Sequence, residues 1–105
     1  MDEVRKVAEW LCAHLKQQYG AKVLQLILYG SHARGSATPE SDVDLLVVVE
    51  DALDPWEVRR SLDGVLLDIL LEEGCLVSVL VVPKSVYEGY NSPFMIQVRR
   101  EGIPL

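Results

Sequence analysis

Apolar positions at the start of the chain recur at helical spacing. Val4, Val7, Ala8, Leu11 and Leu15 fall on one face with polar residues between them, which predicts a helix over 3–18 stopped by Gly20. The period then changes. Residues 23–29, Val-Leu-Gln-Leu-Ile-Leu-Tyr, form a β-prone run that ends at Gly30, and a second aliphatic run over 43–50 follows a polar turn of Thr38, Pro39, Glu40 and Ser41. Residues 31–35 leave room for one short helical turn between the two strands. Asp54 before Pro55 is an N-cap with proline at the first helical position, and Leu62, Val65, Leu66 and Ile69 carry one helix on to Gly74. A third strand is predicted over 76–82, Ser85 and Glu88 have capping-box spacing, and 93–100 predicts a last short helix. Its Arg99 and Arg100 lie near the C-terminal end, where cations are favoured. The order helix, strand, strand, helix, strand, helix predicts an α/β (α+β) fold, a small mixed β-sheet flanked by helices. With 105 residues and no internal linker, the expectation is a single domain over 1–105.

Composition narrows what such a domain does. A hydrophobic content of 50% argues against disorder, and no apolar run reaches membrane-spanning length. Sixteen acidic residues against ten basic ones give a net charge of −6, which disfavours binding to a long nucleic acid. A small Mg-bound nucleotide stays open, because the cation brings its own charge. The start Met-Asp-Glu-Val-Arg-Lys has neither the basic nor the apolar region of a signal peptide, so the expected location is cytoplasmic, with Cys12 and Cys75 as reduced thiols. Neither cysteine has Cys-x-x-Cys spacing.

Candidate chemistry concentrates in residues 30–47, Gly-Ser-His-Ala-Arg-Gly-Ser-Ala-Thr-Pro-Glu-Ser-Asp-Val-Asp-Leu-Leu-Val. Side chains alternate in an extended chain, so Asp42 and Asp44 point the same way, roughly 6.5–7 Å apart along the backbone. Two hard oxygen ligands at that spacing share one cation or bridge a pair. Mg²⁺ suits them, since it takes one or two protein carboxylates and completes its shell with water and phosphate oxygens. Gly30 permits close backbone approach, and Ser31 offers an amide and a hydroxyl at the start of a helical turn, a setting suited to phosphate. Each residue alone has a plainer reading: Gly30-Ser31 as a turn, Asp42 as a cap, Arg34 as an exposed arginine rather than a phosphate contact. No Gly-Lys-Ser/Thr follows, so a Walker-type loop is unsupported. Glu50 shares the parity of the two aspartates but lies roughly 20 Å from Asp44 along the strand. His32 and His14 read as solvent-facing, and Asp68, Glu72 and Glu73 as a solvated helix face. Tyr87, Tyr90, Phe94, Trp10 and Trp56 read as core closure or as a docking face. Arg59-Arg60 and Arg99-Arg100 read as surface charge.

Together, Leu28-Tyr29-Gly30-Ser31-His32-Ala33-Arg34-Gly35 and Ser41-Asp42-Val43-Asp44-Leu45-Leu46-Val47 resemble the signature of the DNA polymerase β nucleotidyltransferase superfamily, most closely its minimal, MntA-like group. The ending Ser92-Pro93-Phe94-Met95 through Arg99-Arg100-Glu101-Gly102 is similar as well, so the likeness spans nearly the whole chain. The resemblance implies the nucleotidyltransferase fold and Mg²⁺-dependent transfer of a nucleoside monophosphate, AMP from ATP first of all. It implies that Gly30, Ser31 and Arg34 contact the triphosphate and that Asp42 and Asp44 are catalytic and hold the metal. It further implies an acceptor hydroxyl on a partner protein, typically a HEPN-domain toxin, with this chain as the antitoxin.

The family pattern also carries a third carboxylate on a later strand. The corresponding run, Leu76-Val77-Ser78-Val79-Leu80-Val81-Val82, has Ser78 as its only polar member. A neutral hydroxyl neither supplies negative charge to a second metal nor accepts a proton at neutral pH. Three alternatives stay open: reduced activity, a carboxylate from elsewhere, or a nucleotide-binding module that acts by contact with its partner. An exposed strand edge would also let two copies pair as a homodimer.

Overall fold

The computed structural model describes residues 2–38 and 40–105, so Pro39 of the predicted turn lies outside the described residues. Helix α1, Asp2–Tyr19, buries Val4, Val7, Leu11 and Leu15, the apolar face read from the sequence. A short 3-10 turn over 20–22 leads into β1, Val23–Tyr29. The four-residue helix α2, Ser31–Arg34, follows, and then β2, Val43–Val49, antiparallel to β1 with Tyr29 opposite Asp44. Helices α3, Pro55–Ser61, and α4, Asp63–Glu73, precede β3, Val77–Pro83, which runs parallel to β2 with Ser78 beside Asp44. Helices α5, Lys84–Gly89, and α6, Pro93–Glu101, lead to β4, Ile103–Pro104, and the strand order is β3-β2-β1-β4.

The sheet is covered on both faces, which is why β2 reads as an unbroken aliphatic run. Val43, Leu45, Val47 and Val49 face a core shared with α1, α3 and α4, whereas Leu46 and Val48 pack with Ile27, Met95 and Val98 under α5 and α6. Alternation along β2 therefore sends Asp44 to the α6 side. The predicted Asp54 cap forms, its carboxylate accepting from the Trp56 N–H at 2.9 Å, and Ser92, not foreseen as a cap, accepts from the Met95 N–H at 3.1 Å.

The structure departs from expectation at three elements. The single helix expected from Pro55 to Gly74 is two, because the Leu62 N–H bonds to the Arg59 carbonyl at 3.1 Å in a tightened turn and the Ser61 hydroxyl donates to the Val58 carbonyl at 2.7 Å. The Ser85–Glu88 capping box does not form. Ser85 lies inside α5, and its N–H donates to Asp51 Oδ1 at 3.1 Å. Strand β4 was not foreseen; a Cβ on Gly102 would press into the Val98 carbonyl and Ile27 Cγ2, so glycine is what lets the chain come close enough to pair with β1.

Two arginines expected as surface charge are structural ties instead. Arg59 donates through Nε to the Val79 carbonyl at 3.2 Å and through a guanidinium N–H to Asp63 at 2.8 Å. Arg99 donates to the carbonyls of Tyr87 (2.6 Å) and Tyr90 (3.1 Å) and to Asn91 Oδ1 (2.6 Å), holding the connection between α5 and α6. Removing three acceptors' donor at once in Arg99→Ala is expected to cost about 2 kcal/mol. Urea denaturation should show a lower midpoint at unchanged slope; an unchanged midpoint would mean the loop holds itself.

Candidate active site

Tyr29, Asp44 and Ser78 form one row across β1, β2 and β3, and Asp42 stands just before β2. At the end of β1, Gly30 adopts φ +76° and ψ −154°, a combination open essentially to glycine. A Cβ at Gly30 would collide with Asp44 Oδ2, so the Asp44 carboxylate lies directly against the backbone of the Gly30 turn. The turn continues into α2 with the Arg34 N–H returning to the Gly30 carbonyl at 3.1 Å. The first N–H groups of α2, from Ser31 on, have no carbonyl of their own helix to bond. The structure thus joins the two halves of the motif, the Gly30-Ser31 turn and the aspartates, at one place.

The electrostatics there favour a cation. Burial raises the Asp44 carboxyl above its ordinary value and the neighbouring Asp42 charge raises it further, while His32 and Arg34 oppose the shift. A carboxylate pair held at that disadvantage gains by taking up positive charge. No group of three or more His, Cys, Asp or Glu is gathered among the described residues. Two carboxylates with the rest of the shell left to water and phosphate oxygens fit Mg²⁺ and do not fit a closed structural metal cage. Ser78, exposed beside Asp44, adds only a neutral oxygen.

Arg34 is partly exposed, with its guanidinium 3.8 Å from a Glu101 carboxylate oxygen. Both residues line a cleft of about 160 Å³ with Tyr29, Gly30, Phe94 and Gln97. Larger hollows of about 490 and 390 Å³ lie along α1 near Leu105, and no motif residue lines them. The Tyr29 ring meets Phe94 edge-on, 5.4 Å between centroids at 88°. Burial, and after it the Asp44 charge, push the Tyr29 phenol up. Sequence reasoning missed Tyr29, Gln97 and Glu101 as neighbours of the site; only Tyr29 carried a signal, being the strand residue before Gly30.

Of the other polar residues, His32 stays beside the site, its charge acting on Asp44, and the rest fall away from the chemistry. His32 and His14, expected in solvent, each bury a ring Nε2 that has no hydrogen-bond partner. Burial, with Glu3, Asp42 and Glu73 adding to it, pushes the Cys75 thiol up to about 11, and burial raises Cys12 as well, so neither is a ready thiolate. Glu50 is exposed at the far end of β2, its N–H bonded to the Lys22 carbonyl at 2.9 Å. No described helix is long and apolar enough to cross a membrane.

Comparison with known proteins places this geometry. The nucleotidyltransferase domain family matches residues 5–97. A Methanocaldococcus jannaschii protein, assigned by name alone as a protein adenylyltransferase, is 30% identical over 103 residues, covering 97% of this chain and 96% of its own. A solved minimal nucleotidyltransferase, so assigned by name, is 27% identical with TM-score 0.59, covering 96% of this chain and 94% of that one. A toxin–antitoxin crystal structure with AMP-PNP shares the fold at TM-score 0.62 and 20% identity, covering 99% of this chain and 72% of that one. With its Gly30-Ser31 turn closed against Asp44, the chain belongs to the nucleotidyltransferase domain family.

Proposed function

We propose that this protein transfers a nucleoside monophosphate, AMP from ATP foremost, to a hydroxyl on a partner protein, and that the partner is a HEPN-domain toxin which this chain neutralises. The observation that carries the reading is the Asp44 carboxylate packed against the Gly30 turn with Asp42 beside it. A relative assigned as a protein adenylyltransferase and a toxin–antitoxin structure of the same fold support the acceptor class. Asp42 and Asp44 would hold Mg²⁺, which when bound neutralises charge on the triphosphate. Gly30 and Ser31 would orient the triphosphate through backbone amides, and Arg34, now 3.8 Å from Glu101, would meet it once released from that carboxylate. The acceptor oxygen forms a bond to the α-phosphorus, the bond to pyrophosphate breaks, and the hydroxyl proton leaves to solvent, since Ser78 cannot take it.

Calorimetric titration with AMP-PNP tests this. Binding is expected to need Mg²⁺ and to weaken roughly tenfold or more in Asp42→Asn. The folded wild-type protein failing to bind with Mg²⁺ present would overturn the reading. Ser78 favours a second reading, a binding module that neutralises by contact. On the transferase reading Ser78→Asp raises labelling of the partner from α-labelled ATP; on the other, neither protein labels and Asp42→Asn still neutralises.

A further inference from the structure

Helix α4 buries Val65 and Ile69 against α1 and the sheet, and an ordinary surface helix would be polar on the opposite side. Instead Leu67, Leu70 and Leu71 stand there with 54%, 39% and 74% of their surfaces exposed. Single exposed leucines need no explanation, but three at i, i+3 and i+4 spacing make a ridge of the kind that helices bury in one another. Asp68 and Glu72 run alongside the ridge one turn apart, and among the described residues neither forms an ion pair. Asp63 and Glu73 bring the helix to four acids, and it has no lysine or arginine.

That charge decides the occupant. A second copy would set four acids against four in either orientation, and like charges beside an apolar seam oppose pairing. An anionic membrane surface is repelled for the same reason. We propose that the α4 ridge is a docking surface for a partner protein's amphipathic helix, with an aliphatic stripe that packs on Leu67, Leu70 and Leu71 and with lysine or arginine flanks that meet Asp68 and Glu72. The chain carries such a partner towards the candidate site. The chain leaves α4 at Gly74, and the Leu76 carbonyl accepts from the Val43 N–H at 3.0 Å, so the end of α4 leads directly to the backbone between Asp42 and Asp44. The inference rests on the proposed function only in needing a partner; it holds equally for a transferase and for a contact-only binder.

The test uses the full chain and an amphipathic leucine/lysine peptide of about 18 residues, five turns of helix, with a leucine/glutamate peptide of the same pattern as control. The basic peptide should bind, with amide shift changes centred on residues 63–73. Leu67→Lys/Leu71→Lys, which alters only exposed positions, should keep the fold and its AMP-PNP binding yet weaken peptide binding roughly tenfold or more. Asp68→Lys/Glu72→Lys should transfer preference to the acidic peptide. Retained AMP-PNP binding in these variants separates a failure of the docking surface from a failure of the nucleotide site. Absence of binding, shifts centred on Asp42 and Asp44 instead, or concentration-dependent dimerisation abolished by the leucine variant, the mark of a second copy on the ridge, would each overturn the proposal.

Discussion

Gly30→Ala is expected to remove nucleotide binding while leaving a folded protein. Two effects add at this position. The backbone angles of Gly30 lie in a region that costs a side-chain-bearing residue about 1–3 kcal/mol, and the new methyl group would occupy the space of Asp44 Oδ2. The strain is tolerable for a domain of ordinary stability. On the proposed function the collision is not tolerable, because it forces apart the turn and the carboxylate that would together hold one Mg-triphosphate. Displacements of about 1 Å in such constellations lower rates on the order of 100-fold. Calorimetry with Mg²⁺ and AMP-PNP, beside urea denaturation, should therefore show binding lost and a midpoint lowered only modestly. Affinity kept within roughly threefold of wild type would mean that the triphosphate does not use this turn.

Asp44→Asn is expected to make the metal-free protein more stable and the Mg²⁺-loaded protein less so than wild type. Burial and Asp42 raise the folded-state pKa of Asp44 above its unfolded value, so the folded state holds the proton more tightly. Stability of the metal-free wild type then falls as pH rises through the window from the ordinary carboxylate value of 3.8 up to the raised one, and the deficit persists at neutral pH. Asparagine has no charge to desolvate and shows no such fall. Denaturation in EDTA, stepped from acid to neutral pH, should show the variant's advantage opening as the pH rises. Added Mg²⁺ should stabilise the wild type by mass action and leave the variant unmoved. A variant less stable than wild type in EDTA at neutral pH would show that Asp44 serves packing rather than cation binding. The charge strain at Asp44 is the kind of local destabilisation that functional sites retain.

What was legible in the sequence was local. The cap at Asp54 is set by a residue two positions away and forms as expected, and so does the amphipathic face of α1. The pairing of turn and aspartates was legible because two short patterns flank one strand-to-strand connection. What escaped depended on distant partners. The meeting of Tyr29 with Phe94 needs α6 brought back over the sheet, and β4 exists because Gly102 lets a two-residue strand approach Ile27. The break at Leu62 escaped because helical periodicity runs through it undisturbed. Arg59 and Arg99 looked like free surface charge because the carbonyls they serve lie 20 and up to 12 positions away. Ser78 lies beside Asp44 through the parallel pairing of β2 with β3, which joins residues 34 positions apart.

The bond from Arg59 to Val79 has a wider meaning for the chain's life in solution. Leu76 turns its carbonyl to β2, accepting from the Val43 N–H at 3.0 Å, so by alternation Val79 turns its own carbonyl to the free border of the sheet. A hydrophobic strand with an open border is a template on which another molecule can lay its own backbone. The guanidinium of Arg59 stands where that foreign amide would have to dock, tethered in place by Asp63. A side chain that reads as mere solubility thus occupies one acceptor on this border of the sheet, a place where an added strand would otherwise gain a bond.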